Sequence, residues 1–319
     1  MLRLKNAWGG IKGGEVVRDT FTPNKQKVRE MDMRLIERHF KDRKGDLRYL
    51  GLPASTMTDV LQWQDYFQHF SVVERGRAGE EYRYQHDLML TAMQHGLADR
   101  LELLRGDMDE ILLNGEDSFG NPIPYPFDVV SLDYSGGIIY KNDSGRARRA
   151  ESIGSLFQEQ AEKGQHFLLL VSCNLDNEDR GEIQAVLHDI ERELEKLGVV
   201  ADETIQAHLN HKLGEARLKV YVPYLVGRLS ARWYQCEHFK PIYYEGNRGT
   251  RMMHFSVRLK RTAEYIAGRP SRQTLAHILN LPAFYCVDGE LCQTDFGIPR
   301  IMIGVISELE EDEQNFALS

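Results

Sequence analysis

The chain has 319 residues, of which 42% are hydrophobic and 28% charged, with 27 Gly and 10 Pro; this mixture excludes collagen, a coiled-coil rod and wholesale disorder. The formal charge is −8, but Glu308 to Ser319 supplies five acids and no base, leaving −3 on the rest. A mildly acidic balance neither requires nor forbids a nucleic-acid partner. The densest apolar run, Phe167 to Val171, falls far short of the roughly 20 residues that span a bilayer, so no membrane role is expected.

The first residues, Met-Leu-Arg-Leu-Lys and then Trp8-Gly9-Gly10, lack the apolar stretch of a secretory signal. Cys173, Cys236, Cys286 and Cys292 fit no common zinc spacing. Reduced thiols, a cytoplasmic location and no metal are the expectation.

Taken in chain order, Thr22 is the expected cap and Pro23 the first position of a helix with Val28, Met31, Met33, Leu35, Ile36 and Phe40 on its apolar side. Leu47 to Leu52 reads as a strand. Thr56-Met57-Thr58-Asp59 reads as a capping box opening a helix through Val60, Leu61, Tyr66 and Phe67. Phe70 to Glu74 is the second strand, followed by a helix through Tyr82, Leu88, Met89 and Met93 that ends at Gly96. Leu101 to Asp107 is the third, with a short helix from Asp109 to Leu113, and Phe127 to Asp133 is the fourth. A helix from Ala147 to Lys163 precedes the fifth strand, Phe167 to Val171, and Glu182 to Leu197 forms the next helix.

Strands alternating with helices at this density predict an α/β fold with a doubly wound, Rossmann-like sheet, mostly parallel. Beyond residue 215, Leu218 to Val226 and Met252 to Leu259 read as two long strands joined by the aromatic segment Trp233 to Tyr244, a terminal antiparallel pair. A helix at Arg272 to Leu279 and a short segment at Tyr285 to Leu291 follow. The expected domains are an N-terminal extension and helix (1–44), a Rossmann domain (45–261), a small C-terminal extension (262–307) and an acidic tail (308–319).

In an open parallel sheet, ligands gather beyond the carboxyl ends of the strands. The first strand ends at Gly51-Leu52-Pro53, where a glycine permits close backbone approach, although a single glycine serves a nicotinamide or flavin pyrophosphate poorly. Glu74 ends the second strand and can accept hydrogen bonds from ribose hydroxyls. Asp107, with Met108 beside it, ends the third and can accept from an exocyclic amine or cap the next helix. Asp133 ends the fourth and runs into Tyr134-Ser135-Gly136-Gly137. Lys141, Arg146, Arg148 and Arg149 follow within a few residues, and Arg248 and Arg251 lie in a late Gly-rich turn; these cations suit phosphate or a solvated face equally. Cys173 reads as a buried small side chain.

These strand ends together resemble a class I S-adenosylmethionine-dependent methyltransferase. The resemblance covers about residues 20 to 260 and rests on order and spacing, because the E/DxGxGxG letters are absent. It implies S-adenosylmethionine as cofactor, held by Gly51, Leu52, Pro53, Glu74, Asp107 and Met108. Phe21-Thr22-Pro23 is similar to the Thr-Pro entry of amino-group nucleic-acid methyltransferases, and Asp133-Tyr134-Ser135-Gly136 to the catalytic turn of tRNA guanine dimethyltransferases. That likeness implies Asp133, Tyr134 and Ser135 as the catalytic turn, Tyr134 stacking on a base, and Arg146, Arg148 and Arg149 meeting a nucleic-acid backbone. The alternative is a non-catalytic methyltransferase-like scaffold, with the acidic tail and aromatic segment facing a protein partner in a larger assembly such as a phage-defence or RNA-processing complex.

Overall fold

The computed structural model describes residues 22–74, 81–134, 136–138, 148–164, 166–175, 214–237, 241–246, 249–262 and 281–294, with single helical positions at 188, 190, 192 and 278. Helix α1 (Pro23–Phe40) begins as its sequence predicts: the Thr22 side chain accepts from the Lys25 amide at 3.1 Å and proline takes the first turn. Its inner face buries Val28, Leu35 and Ile36, and also the ionisable Arg29 and Asp32.

The chain then alternates through β1 (Leu47–Gly51), α2 (Thr58–Trp63), β2 (Phe67–Val73), α3 (Glu81–Gln94), β3 (Leu101–Leu104), α4 (Met108–Asn114), β4 (Val129–Asp133), α5 (Arg148–Glu162) and β5 (Phe167–Asn174). Every position of β5 is buried, as a strand covered on both faces must be. Gln160 of α5 ties helix to sheet, donating to the Phe127 carbonyl and accepting from its amide, each at 2.8 Å.

Two expectations fail here. Thr56 to Asp59 forms no capping box: α2 starts after Met57 in the left-handed region, with no side-chain cap, because Asp59 turns inward to Arg29 instead. Phe67, expected in the helix, opens β2.

Residues Gly214–Ser230 form helix α6, so the strand expected at Leu218 to Val226 does not exist. A continuous apolar run is ambiguous between a buried strand and a buried helix. Tyr221 with Leu225 and Val222 with Val226 are buried at helical spacing, and Pro223 is unsuited to a central strand. The reversed pair instead comprises β7 (Ile242–Glu245), from the aromatic segment, and β8 (Arg251–Arg261). Short β6 (Tyr234–Cys236) also pairs with β8. The helices expected at Glu182 to Leu197 and Arg272 to Leu279 lie outside the described residues, apart from the single helical positions given above.

With β9 (Ala283–Val287) and β10 (Glu290–Thr294), the sheet runs β10-β9-β7-β8-β5-β4-β1-β2-β3. β1 to β5 are parallel, and β8 is inserted antiparallel between β5 and β7. The hairpin of β9 and β10 continues the same sheet, with β9 parallel to β7. Thus residues 283–294 share one sheet with residues 47–261. One apolar layer packs α1, α2 and α3 against the sheet through Leu35, Trp63, Phe67, Phe70 and Leu170; the other packs α4, α5 and α6 through Ile111, Phe157, Leu169 and Tyr221. Among the described residues, no helix is long and apolar enough to cross a membrane.

Candidate active site

Strand order turns back between β1 and β4, the switch point where ligands of doubly wound sheets sit. Because β3, β2, β1 and β4 are parallel, their carboxyl ends share one rim, spaced about 4.8 Å per strand. Gly51 lies level with Val72 and Ser131, and Val73 with Leu104. Asp107, Glu74, the 52–57 turn and Asp133 therefore follow one another along that edge, and the structure brings the three acids to one rim.

Each of these residues also has local work. The Gly51 Cα faces the Tyr49 hydroxyl so closely that a Cβ would collide with it. Packing of the preceding tyrosine is thus itself a reason for glycine. Leu52 donates its amide to the Ser131 carbonyl at 3.3 Å, and Pro53 is buried. The Asp107 side chain accepts from the Asp109 amide at 3.0 Å and caps α4, in which Met108 is packed into the core. Glu74 is half-buried, and its carbonyl accepts from Gln85.

Tyr134 is buried on the α4–α5 side. Its hydroxyl donates to Asp109 at 3.1 Å, and the Arg149 guanidinium lies 4.0 Å from the ring centroid. Burial, with Asp109 beside it, pushes the phenol well above its usual range. In this arrangement the ring stacks on a guanidinium, leaving that face closed to a base. Arg149 also pairs with Asp109 at 3.3 Å, and Arg148 pairs with Glu110. Ser135 and Arg146, with Lys141 and Arg248, lie outside the described residues.

The structure adds a feature that sequence spacing did not single out. Beneath α1 and α2, against the ends of β4, β5, β7 and β8, a cavity of about 20 Å³ is lined by Lys25, Val28, Arg29, Asp32, Asp59, Trp63, Ser131, Asp133, Ser172, Tyr244 and His254. Its walls are held by ion pairs of Lys25 with Asp133 and Arg29 with Asp59, and by a 2.9 Å hydrogen bond between His254 Nε2 and Asp32 Oδ1. His254 Nδ1 shares a 2.9 Å hydrogen bond with Ser172 Oγ, and Ser256 donates to Asp32 at 3.1 Å.

Burial works against the Asp133 charge, but Lys25 in contact, with Arg29 and His254 nearby, outweighs it and holds the carboxyl below its usual range. Asp59 goes the other way. Burial dominates there despite Arg29 and Lys25, and its carboxyl titrates above the usual range. Burial and the Asp133 charge also raise the Tyr244 phenol well above its usual value. Chemically, the chamber offers carboxylates, a guanidinium and an imidazole–hydroxyl chain behind the end of β4. Among the described residues no group of His, Cys, Asp and Glu is arranged to hold a metal ion.

The 3-2-1-4-5 parallel order followed by a reversed strand inserted before its predecessor is a doubly wound, Rossmann-like sheet with an antiparallel end. No protein-family model matches the sequence, and no curated protein matches it. Among solved structures it is similar to N-methyltransferase NodS from Bradyrhizobium japonicum WM9 in complex with S-adenosyl-L-homocysteine, with 9% identity and a TM-score of 0.41 over 78% of this chain and 93% of that one. An O-methyltransferase from Bacillus cereus shows 11% identity and a TM-score of 0.39, over 76% and 83%. TrmN from Thermus thermophilus shows 11% and 0.38, over 76% of this chain and 51% of that one.

Proposed function

We propose that the chain is an S-adenosylmethionine-dependent methyltransferase acting on a nucleic-acid base. One observation carries this reading: Asp107, Glu74, the β1 turn and Asp133 lie in line on one rim, at the strand-order switch of a sheet with a reversed β8. The donor set suits a nucleoside bearing an amino-acid arm. Glu74 accepts from ribose hydroxyls, Asp107 faces the base amine with Met108 beneath it, and the Gly51-Leu52-Pro53 backbone borders the arm. The cofactor supplies an electrophilic methyl group. Asp133, with Tyr134 and Ser135, positions the acceptor, and catalysis of this kind is chiefly proximity and alignment. Arg146, Arg148 and Arg149 meet the backbone phosphates, which requires Arg148 and Arg149 to exchange Glu110 and Asp109 for phosphate. The four cysteines are thiols joined in no disulfide, which suits a reducing cytoplasm.

A non-catalytic scaffold is the second reading, favoured by two specific contacts: Lys25 occupies Asp133, and Arg149 covers Tyr134. Calorimetry with S-adenosylmethionine and with NAD separates the two. The enzyme reading expects micromolar-range binding of the first only, abolished by Glu74→Ala; heat from neither favours the scaffold. Methylation of total RNA or DNA, lost in Asp133→Ala with folding retained, then identifies the acceptor.

A further inference from the structure

The chamber under α1 contains two kinds of unfinished business. Arg29 Nη1 and Trp63 Nε1 are buried donors with no hydrogen-bond partner among the described residues. Their side chains line the cavity, Arg29 is held rigid by Asp59, and both residues are under a tenth exposed. A buried donor left unmatched forfeits its hydration without return, so each calls for an acceptor atom. The second concerns Lys25. Its ammonium is seated on Asp133 from the first turn of α1, at 20% side-chain exposure, on a long flexible stem that can swing to solvent while Thr22 still caps the helix. With Lys25 swung out, three carboxylates, Asp32, Asp59 and Asp133, face the Arg29 guanidinium, so the chamber tolerates an incoming amine more readily than an anion.

We propose that this chamber is a seat for a ligand carrying an amino group beside an acceptor atom, the amine replacing the Lys25 ammonium on Asp133 and the acceptor meeting Arg29 Nη1 and Trp63 Nε1. Lys25 is then a built-in stand-in that keeps the seat closed. An amino group next to an acceptor occurs in amino-acid amides and on the edge of amino-bearing nucleobases. Charge balance favours the former source and the methyl-transfer reading the latter. The ligand's identity as methyl acceptor rests on the methyl-transfer reading, whereas the existence of the seat does not.

The test needs no cofactor, so its failure is separate from failure of that reading. Lys25→Ala is titrated with ethylammonium, glycinamide and cytosine, following thermal unfolding and heat of binding. Ethylammonium should bind Lys25→Ala saturably, and neither wild type nor Lys25→Ala/Asp133→Asn. Glycinamide should bind about tenfold tighter than ethylammonium, the worth of one well-placed hydrogen bond, and Trp63→Phe should remove that gain. If cytosine shows the gain instead, the source is a nucleobase edge. Equal affinity for ethylammonium and glycinamide, or binding that survives Asp133→Asn, overturns the proposal, because a trapped water then suffices for the donors. If Lys25→Ala does not fold, wild type carries the test: glycinamide or cytosine should shift the Lys25 Cε NMR resonance saturably, and an unchanged resonance overturns it.

Discussion

The two faces of the central sheet are built from the same strands and end differently at the rim. On the face under α4, α5 and α6, Val130 and Leu132, then Leu169, Val171 and Cys173, then Met253, Phe255 and Val257, stay apolar to the end. On the face under α1 and α2, Val129 gives way to Ser131 and Asp133, Leu168 and Leu170 to Ser172, and β8 contributes Ser256 and His254. Alternating side chains let one strand seal a core on one side and build a polar wall on the other. The cost of that wall falls on α1, which must bring Lys25, Arg29 and Asp32 to meet it. Both faces therefore carry an apolar core, and only the face under α1 and α2 turns polar at the rim.

Removing Arg29 is the sharpest way to break this contrast. Arg29→Ala leaves Asp59 buried and unpaired and should cost roughly 3–5 kcal/mol in urea unfolding. The double variant Arg29→Met/Asp59→Leu should recover most of it, because the charges stabilise each other more than they stabilise the fold. On the apolar face, Leu169→Ala should cost roughly 2–5 kcal/mol through the cavity it leaves, with no charge partner to rescue it. A loss below about 1 kcal/mol for Arg29→Ala would mean that the polar wall is solvated rather than buried.

A smaller effect separates the two reasons for Gly51. Gly51→Ala should destabilise by roughly 1–3 kcal/mol through overpacking on Tyr49. In a Tyr49→Leu background the added penalty should shrink, a coupling measurable in a double-mutant cycle. Additive costs would show that Tyr49 does not dictate the glycine.

The pH response is the finest discriminator. Asp133, held below the usual range, adds stability that is present above its unfolded-state value of about 3.9 and is lost as pH falls through its folded value. Asp59, raised by burial, does the reverse: it favours the folded state below the unfolded value, and that contribution is lost as pH rises through the folded value. The groups facing Asp133 are Lys25, Arg29 and Asp32 of α1, Asp59 of α2, Tyr49 of β1, Tyr244 of β7 and His254 of β8. Urea midpoints measured from pH 7 to 2 should show a shallower acid limb in Asp133→Asn and a lost gain on mild acidification in Asp59→Asn. Superimposable profiles would argue against both assignments.

The strand ends were legible because each parallel strand is a short apolar run closed by a turn, and an acid after such a run is visible in the letters. β7, by contrast, is a four-residue strand hidden in an aromatic segment, and the middle of α6 is a continuous apolar run from Val220 to Val226, so neither has a decisive period. The chamber left a trace that spacing reveals once the fold is known. Lys25, Arg29 and Asp32 share the helical face of Val28, Leu35 and Ile36, and polar residues interrupt the alternation of β4, β5 and β8. Their convergence depends on pairings more than 80 residues apart, such as Asp32 with His254, and no local pattern encodes those.

The proposed function requires one rim to grip one nucleoside across β3, β2, β1 and β4. The direct measurement is amide chemical-shift mapping of the full chain titrated with S-adenosylmethionine. Saturable perturbations should cluster at residues 51–58, 74, 107–108 and 133–134, and vanish in Glu74→Ala while that variant's spectrum stays folded. Perturbations confined to other surfaces, or none at saturating cofactor, would contradict the account.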